Sequence, residues 1–226
     1  DIEGLVVHIA SRGLVVSHKS ETRAIVQVSA GEPWQGIVDW ACKNGYGGIE
    51  NLSCIPGSAG GAAVQNIGAY GVEFHDICHS VIAINRTTGR TKEFSPKECE
   101  FGYRSSIFKT DAENWTVTGI RMILDKSAPL RTDYGAIKET LLSRGIQKPG
   151  YSEVAEAVAA IRENKLPSPD SLGNAGSFFK NPVVPEAFAM TLKEKYPDVP
   201  CYRHKDGVTK LSAAWLLDQA GWRGKR

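Results

Sequence analysis

The sequence predicts a mixed helix and strand fold in two parts, on three observations. Short β-branched runs alternate with stretches whose apolar residues recur at helical spacing. A hairpin signal lies at residues 81–94, where Thr88-Gly89 separates two strand-like runs. Finally, Lys165-Leu166-Pro167-Ser168-Pro169 places two prolines in three residues, which forbids helix, stiffens the connection and sets a domain boundary near residue 167.

In chain order, residues 5–9 and 24–28 read as strands. Trp34, Ile37, Val38 and Ala41 then fall on one helical face, and Gly45 is the natural stop. Residues 81–84 and 91–94 form the hairpin. Ser95-Pro96-Lys97-Glu98 predicts a helix start, with Ser95 as cap, Pro96 at the first helical position and Glu98 closing a capping box. Residues 115–124 read as a strand with Val117, Gly119, Arg121 and Ile123 on one face. Val154, Ala157, Val158 and Ile161 mark an amphipathic helix. Beyond the boundary, residues 185–196 and 211–220 are helical, separated by a turn at Asp206-Gly207. Trp34, Trp40 and Trp215 are expected in the core.

Composition narrows the class. The 226 residues are 42% hydrophobic and 23% charged, with a net charge of +2, so no charge argument favours nucleic acid or an anionic membrane. No apolar run approaches the roughly 20 residues that span a bilayer, and no signal peptide opens the sequence. The five cysteines are scattered, without a CxxC pair, which reads as free thiols in a reducing compartment and points to the cytoplasm.

Three segments carry the chemistry. GNAGSFFKNP, residues 173–182, crowds Asn174, Ser177, Lys180 and Asn181 around two glycines and Phe178-Phe179, the mixture of a pocket floor. IPGSAGGAAVQNIGAYG, residues 55–71, interleaves glycines with Gln65, Asn66 and Tyr70. Glycines let backbone N–H groups approach a ligand and cradle phosphates, while amides and a phenol suit a planar heterocycle; a flavin dinucleotide offers both surfaces. The segment is neither a Walker loop nor a dinucleotide fingerprint, and a tight-turn linker is its bland alternative. FGYRSSIFK, residues 101–109, sets Arg104 beside two aromatics. It can pair with a carboxylate in a partly dry site or, as the plainer reading, stack on Tyr103 at the surface. His75 and His79, with Asp76 and Cys78 between them, make at most half a metal site, so no metal is expected. Ser177 has neither a GxSxG elbow nor a histidine partner in sequence, which leaves a hydrolase triad unsupported.

With KLPSP added, these four motifs, in this order and at these spacings, resemble the UDP-N-acetylenolpyruvoylglucosamine reductase (MurB) family of peptidoglycan synthesis. The likeness covers nearly the whole chain, and Tyr134 with the residues after it resembles the variant carrying a tyrosine loop over the substrate. The resemblance implies an α+β flavoenzyme. A flavin domain of the vanillyl-alcohol-oxidase-like type would occupy residues 1–166 and a smaller α/β substrate domain residues 167–226, both incomplete. It implies noncovalent FAD, NADPH as hydride donor, a UDP-sugar substrate, a monomer, and no nucleic-acid or membrane partner. Carried across, Arg104 resembles the arginine that polarises the substrate carboxylate and Ser177 the proton donor. Tyr134, Lys165 and Asn181 resemble substrate contacts. Pro56, Gly57, Ser58, Gly60, Gly61, Gln65, Asn66, Gly68, Ala69 and Tyr70 resemble the FAD site, with Arg162 facing flavin or substrate.

Ala59 and Ala63 depart from the valine and proline more often found in the family. The family also has a GGGSN-type flavin segment ahead of residue 1 and a carboxylate-activating glutamate beyond residue 226. The expectation is therefore that the natural protein is longer, and that these residues alone bind FAD weakly and turn over poorly. Two alternatives stand beside the reductase: a related FAD-linked oxidoreductase with another substrate, and a flavin- or nucleotide-sugar-binding module without turnover.

Overall fold

A computed structural model of the chain describes residues 3–110, 114–134, 136–164, 178–203 and 207–225. The chain divides into two compact units, Asp1–Ser168 and Pro169–Arg226.

The first unit is built on a five-stranded sheet. Its elements in chain order are β1 (Leu14–Lys19), β2 (Arg23–Ser29), α1 (Trp34–Lys43), α2 (Ala59–Gln65), β3 (Gly68–Ala69), β4 (Val72–Glu73), β5 (Cys78–Asn85), β6 (Thr91–Phe94), α3 (Ile107–Thr110), β7 (Trp115–Asp125), α4 (Ile137–Ser143) and α5 (Tyr151–Glu163). The sheet order is β1-β2-β7-β5-β6, and every neighbouring pair is antiparallel. Helices packed on an antiparallel sheet make this unit α+β. The main core joins Val26 and Val28 of β2, Val81 of β5 and Ile120, Met122 and Leu124 of β7 to Trp34, Ile37, Val38 and Ala41 of α1. A second cluster packs Ile137 and Leu141 of α4 against Val154, Ala157, Val158 and Ile161 of α5.

In the second unit, β8 (Val183–Pro185), β10 (Val208–Leu211) and β9 (Cys201–Arg203) form a three-stranded sheet in that order, accompanied by α6 (Glu186–Lys195) and α7 (Ala213–Gln219). The expected helices at 185–196 and 211–220 are present. Gly207 has φ +69°, as suits the expected turn, while Asp206 lies outside the described residues; the antiparallel pairing of β9 with β10 on either side was not announced by the sequence.

Other elements differ from expectation. Residues 5–9 form no strand; Leu5, Val6 and Val7 are 90%, 67% and 74% exposed, without a neighbouring strand to pair with. The capping box at Ser95 forms, with Ser95 N donating to the Glu98 carboxylate at 2.9 Å and Glu98 N donating to Ser95 Oγ at 3.4 Å. No helix follows it, because Glu100 turns to φ +47° after a single turn. On β7, Ile82 pairs with Gly119 while the next residue, Ala83, pairs with Val117. Thr118 is thus a bulge. It carries the buried face from Val117 to Ile120, Met122 and Leu124, leaving Ile123 39% exposed. Trp34 is buried as expected, whereas Trp40 and Trp215 are half-buried.

Candidate active site

The glycine-rich segment is bolted to the end of β2 by three backbone bonds. Trp34 N donates to Gly57 O at 3.0 Å, Ala59 N to Glu32 O at 2.9 Å and Gly60 N to Ala30 O at 2.8 Å. Gly60 is the close-packing residue here, since a Cβ on it would lie 2.9 Å from the Ala30 Cβ. Gly60 is therefore buried against Ala30, just past the end of β2, and Ala59, Ala62 and Ala63 of the same helix are buried in the core.

The other face of the segment is open. Pro56, Gly57, Gly61 and Gln65 are exposed, with Ser58 half-buried among them. Among the described residues, no backbone hydrogen bond uses the N–H groups of Gly57, Ser58 or Gly61. Gly57 has φ +120°, and a Cβ on it would meet nothing within 4 Å, a space that any other residue would fill. Bare N–H groups in a side-chain-free hollow suit the diphosphate of a dinucleotide. The Ser58 hydroxyl makes no capping bond and lies 3.8 Å from where a Cβ on Gly61 would stand. Arg162, at the end of α5, donates from Nε to Cys54 O at 3.1 Å, which brings a guanidinium to the entry of this loop. These residues fit FAD.

Beyond α2 the chain doubles back through β3 and β4. Tyr70 sits there at φ +48°, and burial pushes its phenol above the usual tyrosine range, so it remains a proton-bearing donor. Its ring meets Tyr134 edge-on, with centroids 6.3 Å apart. Tyr134 also lies against Gly71, where a Cβ would come within 3.4 Å of its ring. Asn51 joins the two segments, donating to Tyr70 O and to Arg131 O at 2.9 Å each. Ala69 lies half-buried in β3.

Arg104 occupies a tight turn. Gly102 N donates to Ser105 O at 3.0 Å and Ser105 N to Gly102 O at 3.1 Å, with Tyr103 and Arg104 at the apex and Arg104 at φ +55°. The half-buried guanidinium donates to Gly68 O, and its carbon stands 5.3 Å from the Tyr103 ring centre. Of the two sequence readings of Arg104, the stacking on Tyr103 is present, and the guanidinium also reaches the glycine-rich segment at Gly68. Gly68 lies beneath it, since a Cβ there would fall 2.8 Å from Arg104 Nη1. Asn66, expected to contact the cofactor, is instead 0% exposed; its amide is turned into the protein, donating to Glu73 and to Gly102 O.

In the second unit, Asn181 Oδ1 accepts from Ala213 N at 3.0 Å at the start of α7. Asn181, Phe178, Phe179, Ala213, Leu217 and Trp222 line a cleft of about 650 Å³. Phe178 and Phe179 are 80% and 57% exposed, walls of an open cleft rather than a closed floor. Ser177 and Lys165 lie outside the described residues. His75 is engaged by Glu73 at 3.2 Å and Asp76 at 3.3 Å, and no group of three potential metal ligands occurs among the described residues. No described helix is long and apolar enough to cross a membrane.

Residues 1–95 match the FAD binding domain family, and together with the reductases that the chain resembles this sets the class: a flavin-dependent oxidoreductase. Residues 168–226 match the C-terminal domain of UDP-N-acetylenolpyruvoylglucosamine reductase. Reductases of that name from Pseudomonas savastanoi pv. phaseolicola and Chromobacterium violaceum are 46% and 47% identical to the chain, over all of it and 67% of their own length. The enzyme from Pseudomonas aeruginosa is 43% identical over the same shares. The crystal structure of the Thermus caldophilus enzyme superposes with a TM-score of 0.56 at 24% identity, covering 88% of this chain and 55% of that one, a likeness of fold. The chain belongs to the UDP-N-acetylenolpyruvoylglucosamine reductase family.

Proposed function

We propose that the chain reduces the enolpyruvyl ether of UDP-N-acetylglucosamine enolpyruvate to the lactyl ether of UDP-N-acetylmuramate. In this reading residues 1–166 hold the cofactor and residues 167–226 belong to the substrate region. The observation that carries it is Arg104, presented by its turn directly over the glycine-rich segment in a chain of this family.

The open N–H groups of Gly57, Ser58 and Gly61, with Arg162 nearby, would hold the cofactor's diphosphate. When bound, FAD supplies a two-electron relay from NADPH to the substrate carbon. Hydride arrival on the enolpyruvyl double bond leaves negative charge on the carbon beside the carboxylate, and that charge spreads into the carboxylate. Arg104 is a fixed cation for this charge, and it stabilises the transition state more than the ground state. The carbanion is basic enough to take a proton from a hydroxyl of high pKa, so Ser177 needs no histidine to act as general acid. Tyr134, Lys165 and Asn181 hold the UDP-sugar. The product places the chain in peptidoglycan precursor synthesis, hence in cell-wall building, shape and division, as a cytoplasmic monomer.

The test is an anaerobic half-reaction. In the longest available form of the protein, bound flavin is reduced with NADPH, the enolpyruvyl substrate is added and reoxidation is followed, with Ser177→Ala in parallel. Fast reoxidation in wild type and a large loss in the variant is the expected result. Flavin that reduces but ignores this substrate refutes the assignment in favour of another oxidoreductase.

A further inference from the structure

We propose that Asn66 is a positioning residue that holds Arg104 in its working conformation, an inference that rests on the role given to Arg104 above. Asn66 is the left-handed cap of α2, at φ +43°, a region that asparagine tolerates better than most residues. It is fully buried, so its amide is not offered to a ligand.

What that amide does is bind three pieces of chain together. Asn66 Nδ2 donates to Gly102 O at 3.0 Å and to the Glu73 carboxylate at 2.8 Å, while Oδ1 accepts from His75 N at 3.0 Å. Gly102 O is also the carbonyl that closes the Arg104 turn through Ser105 N at 3.1 Å. A turn of this kind asks for glycine at its third position, where positive φ carries no side-chain penalty. Arg104 occupies that position, so the turn is held by its surroundings rather than by its own preference.

The segment from Asn66 to Gly68 supplies those surroundings at two points. The Asn66 amide grips the base of the turn at Gly102 O, and two residues later the Gly68 carbonyl receives the guanidinium. Base and tip are therefore referenced to the same three residues, which also follow directly from α2 and the open cofactor cradle. Loss of the Asn66 amide frees the base, and the guanidinium is no longer fixed relative to the cradle.

The experiment separates this from a merely structural cap. Asn66→Gly keeps the left-handed backbone and removes the amide. Asn66→Asp keeps the acceptor for His75 N but sets a carboxylate against Glu73 and Gly102 O. Each is made in wild type and in Arg104→Ala, and both half-reactions are timed on the flavin-loaded protein. The expected result is a loss of about 10- to 100-fold in reoxidation by the enolpyruvyl substrate, the scale of a misplaced catalytic group. Flavin reduction by NADPH stays within about twofold, and the Asn66 change has little further effect once Arg104 is alanine. Equal loss in both half-reactions, full additivity in the Arg104→Ala background, or wild-type rates in Asn66→Gly overturns the proposal. If Asn66→Gly does not fold, Asn66→Asp decides by the same criteria. Failure of both to give a cooperative melt assigns Asn66 to the fold and also overturns it. A wild-type enzyme whose reduced flavin ignores the substrate instead removes the reading of Arg104 on which the proposal stands.

Discussion

Gly60 and Gly61 are neighbours in α2 with opposite surroundings, so alanine at each separates packing from ligand contact. A Cβ on Gly60 would lie 2.9 Å from the Ala30 Cβ and 3.2 Å from the Ala30 carbonyl oxygen, which already accepts from Gly60 N at 2.8 Å. Ala30 is 2% exposed, so neither partner has room to yield. Overpacking of this kind costs about 1–3 kcal/mol, while alanine's helix preference over glycine returns at most about 1 kcal/mol. The clash wins, and Gly60→Ala is expected to destabilise by about 1–2 kcal/mol, or roughly 2–8 °C in melting temperature for a unit of this size. A Cβ on Gly61 would meet only Ser58 Oγ, at 3.8 Å, so only the propensity gain remains and the cofactor-free melt is unchanged or higher. That methyl enters the open cradle, however, and FAD affinity is expected to fall about tenfold or more, equivalent to about 1.4 kcal/mol or more. Thermal melts without cofactor and FAD titration by fluorescence quenching measure both. A Gly60→Ala melt within about one degree of wild type, or unaltered FAD binding by Gly61→Ala, would refute the reasoning.

Three further outcomes follow from the same packing. Gly68→Ala would put a Cβ 2.8 Å from Arg104 Nη1 and from Glu73 Cγ and 3.1 Å from Val72 O. Turnover should fall about tenfold or more while circular dichroism is retained; unchanged turnover would remove Gly68 from the support of Arg104. Burial pushes the thiols of Cys42, Cys78 and Cys99 up to about 12. Mass spectrometry after a thiol reagent should therefore find Cys54 and Cys201 labelled in the native protein and the other three only on unfolding; early labelling of Cys99 would contradict this. Burial also raises the Glu50 carboxyl, against the lowering effect of Gly48 N, Ile49 N and Arg131. The native state then retains a proton that the unfolded chain has released, so this group's contribution to stability declines as pH rises from the unfolded value through the raised one. Glu50→Gln should gain on wild type in melting temperature over that interval, each tenfold in proton affinity being worth about 1.4 kcal/mol; a pH-independent difference would sink the argument.

The legible parts of the fold were those governed by a local period. Val154, Ala157, Val158 and Ile161 form one helical stripe in sequence and one buried stripe in α5, because nothing outside the helix resets a 3.6-residue repeat. The face of β7 was lost at Thr118, since a bulge is decided by the strand across the ladder and not by the strand that carries it. Residues 5–9 have strand propensity without a neighbour to pair with, and the Ser95 box caps a single turn that Glu100 ends. The three-residue strands β8 and β9 are too short for alternation to show. In the site, residue types were readable and directions were not. Asn66 carries the amide expected of a cofactor contact, but only the buried cap geometry reveals that it points inward, at Glu73 and Gly102.

That hidden layer has a common physical form. Cys54, Asn66, Tyr70, Glu100 and Arg104 are the non-glycine residues with positive φ among the described residues, and all but Glu100 border the cofactor cradle or the arginine turn. A side chain in the left-handed region is unfavourable by itself, so each such residue must be held by partners. Arg162 grips Cys54 O, Asn51 grips Tyr70 O, Glu73 and Gly102 O hold Asn66, and Lys109 reaches Arg104 O at 3.2 Å. Glycine at Asn66, Tyr70 or Arg104 would relax the backbone at once but would remove an amide, a phenol or a guanidinium. Where a sharp reversal also carries a functional side chain, the fold accepts local strain and holds it with hydrogen bonds, to the carbonyl at Tyr70 and Arg104 and to the side-chain amide at Asn66. Motif spacing records which side chains were kept. The carbonyl grips that make them usable are written in residues such as Asn51, which lies outside the motifs, 19 residues from Tyr70 and 80 from Arg131.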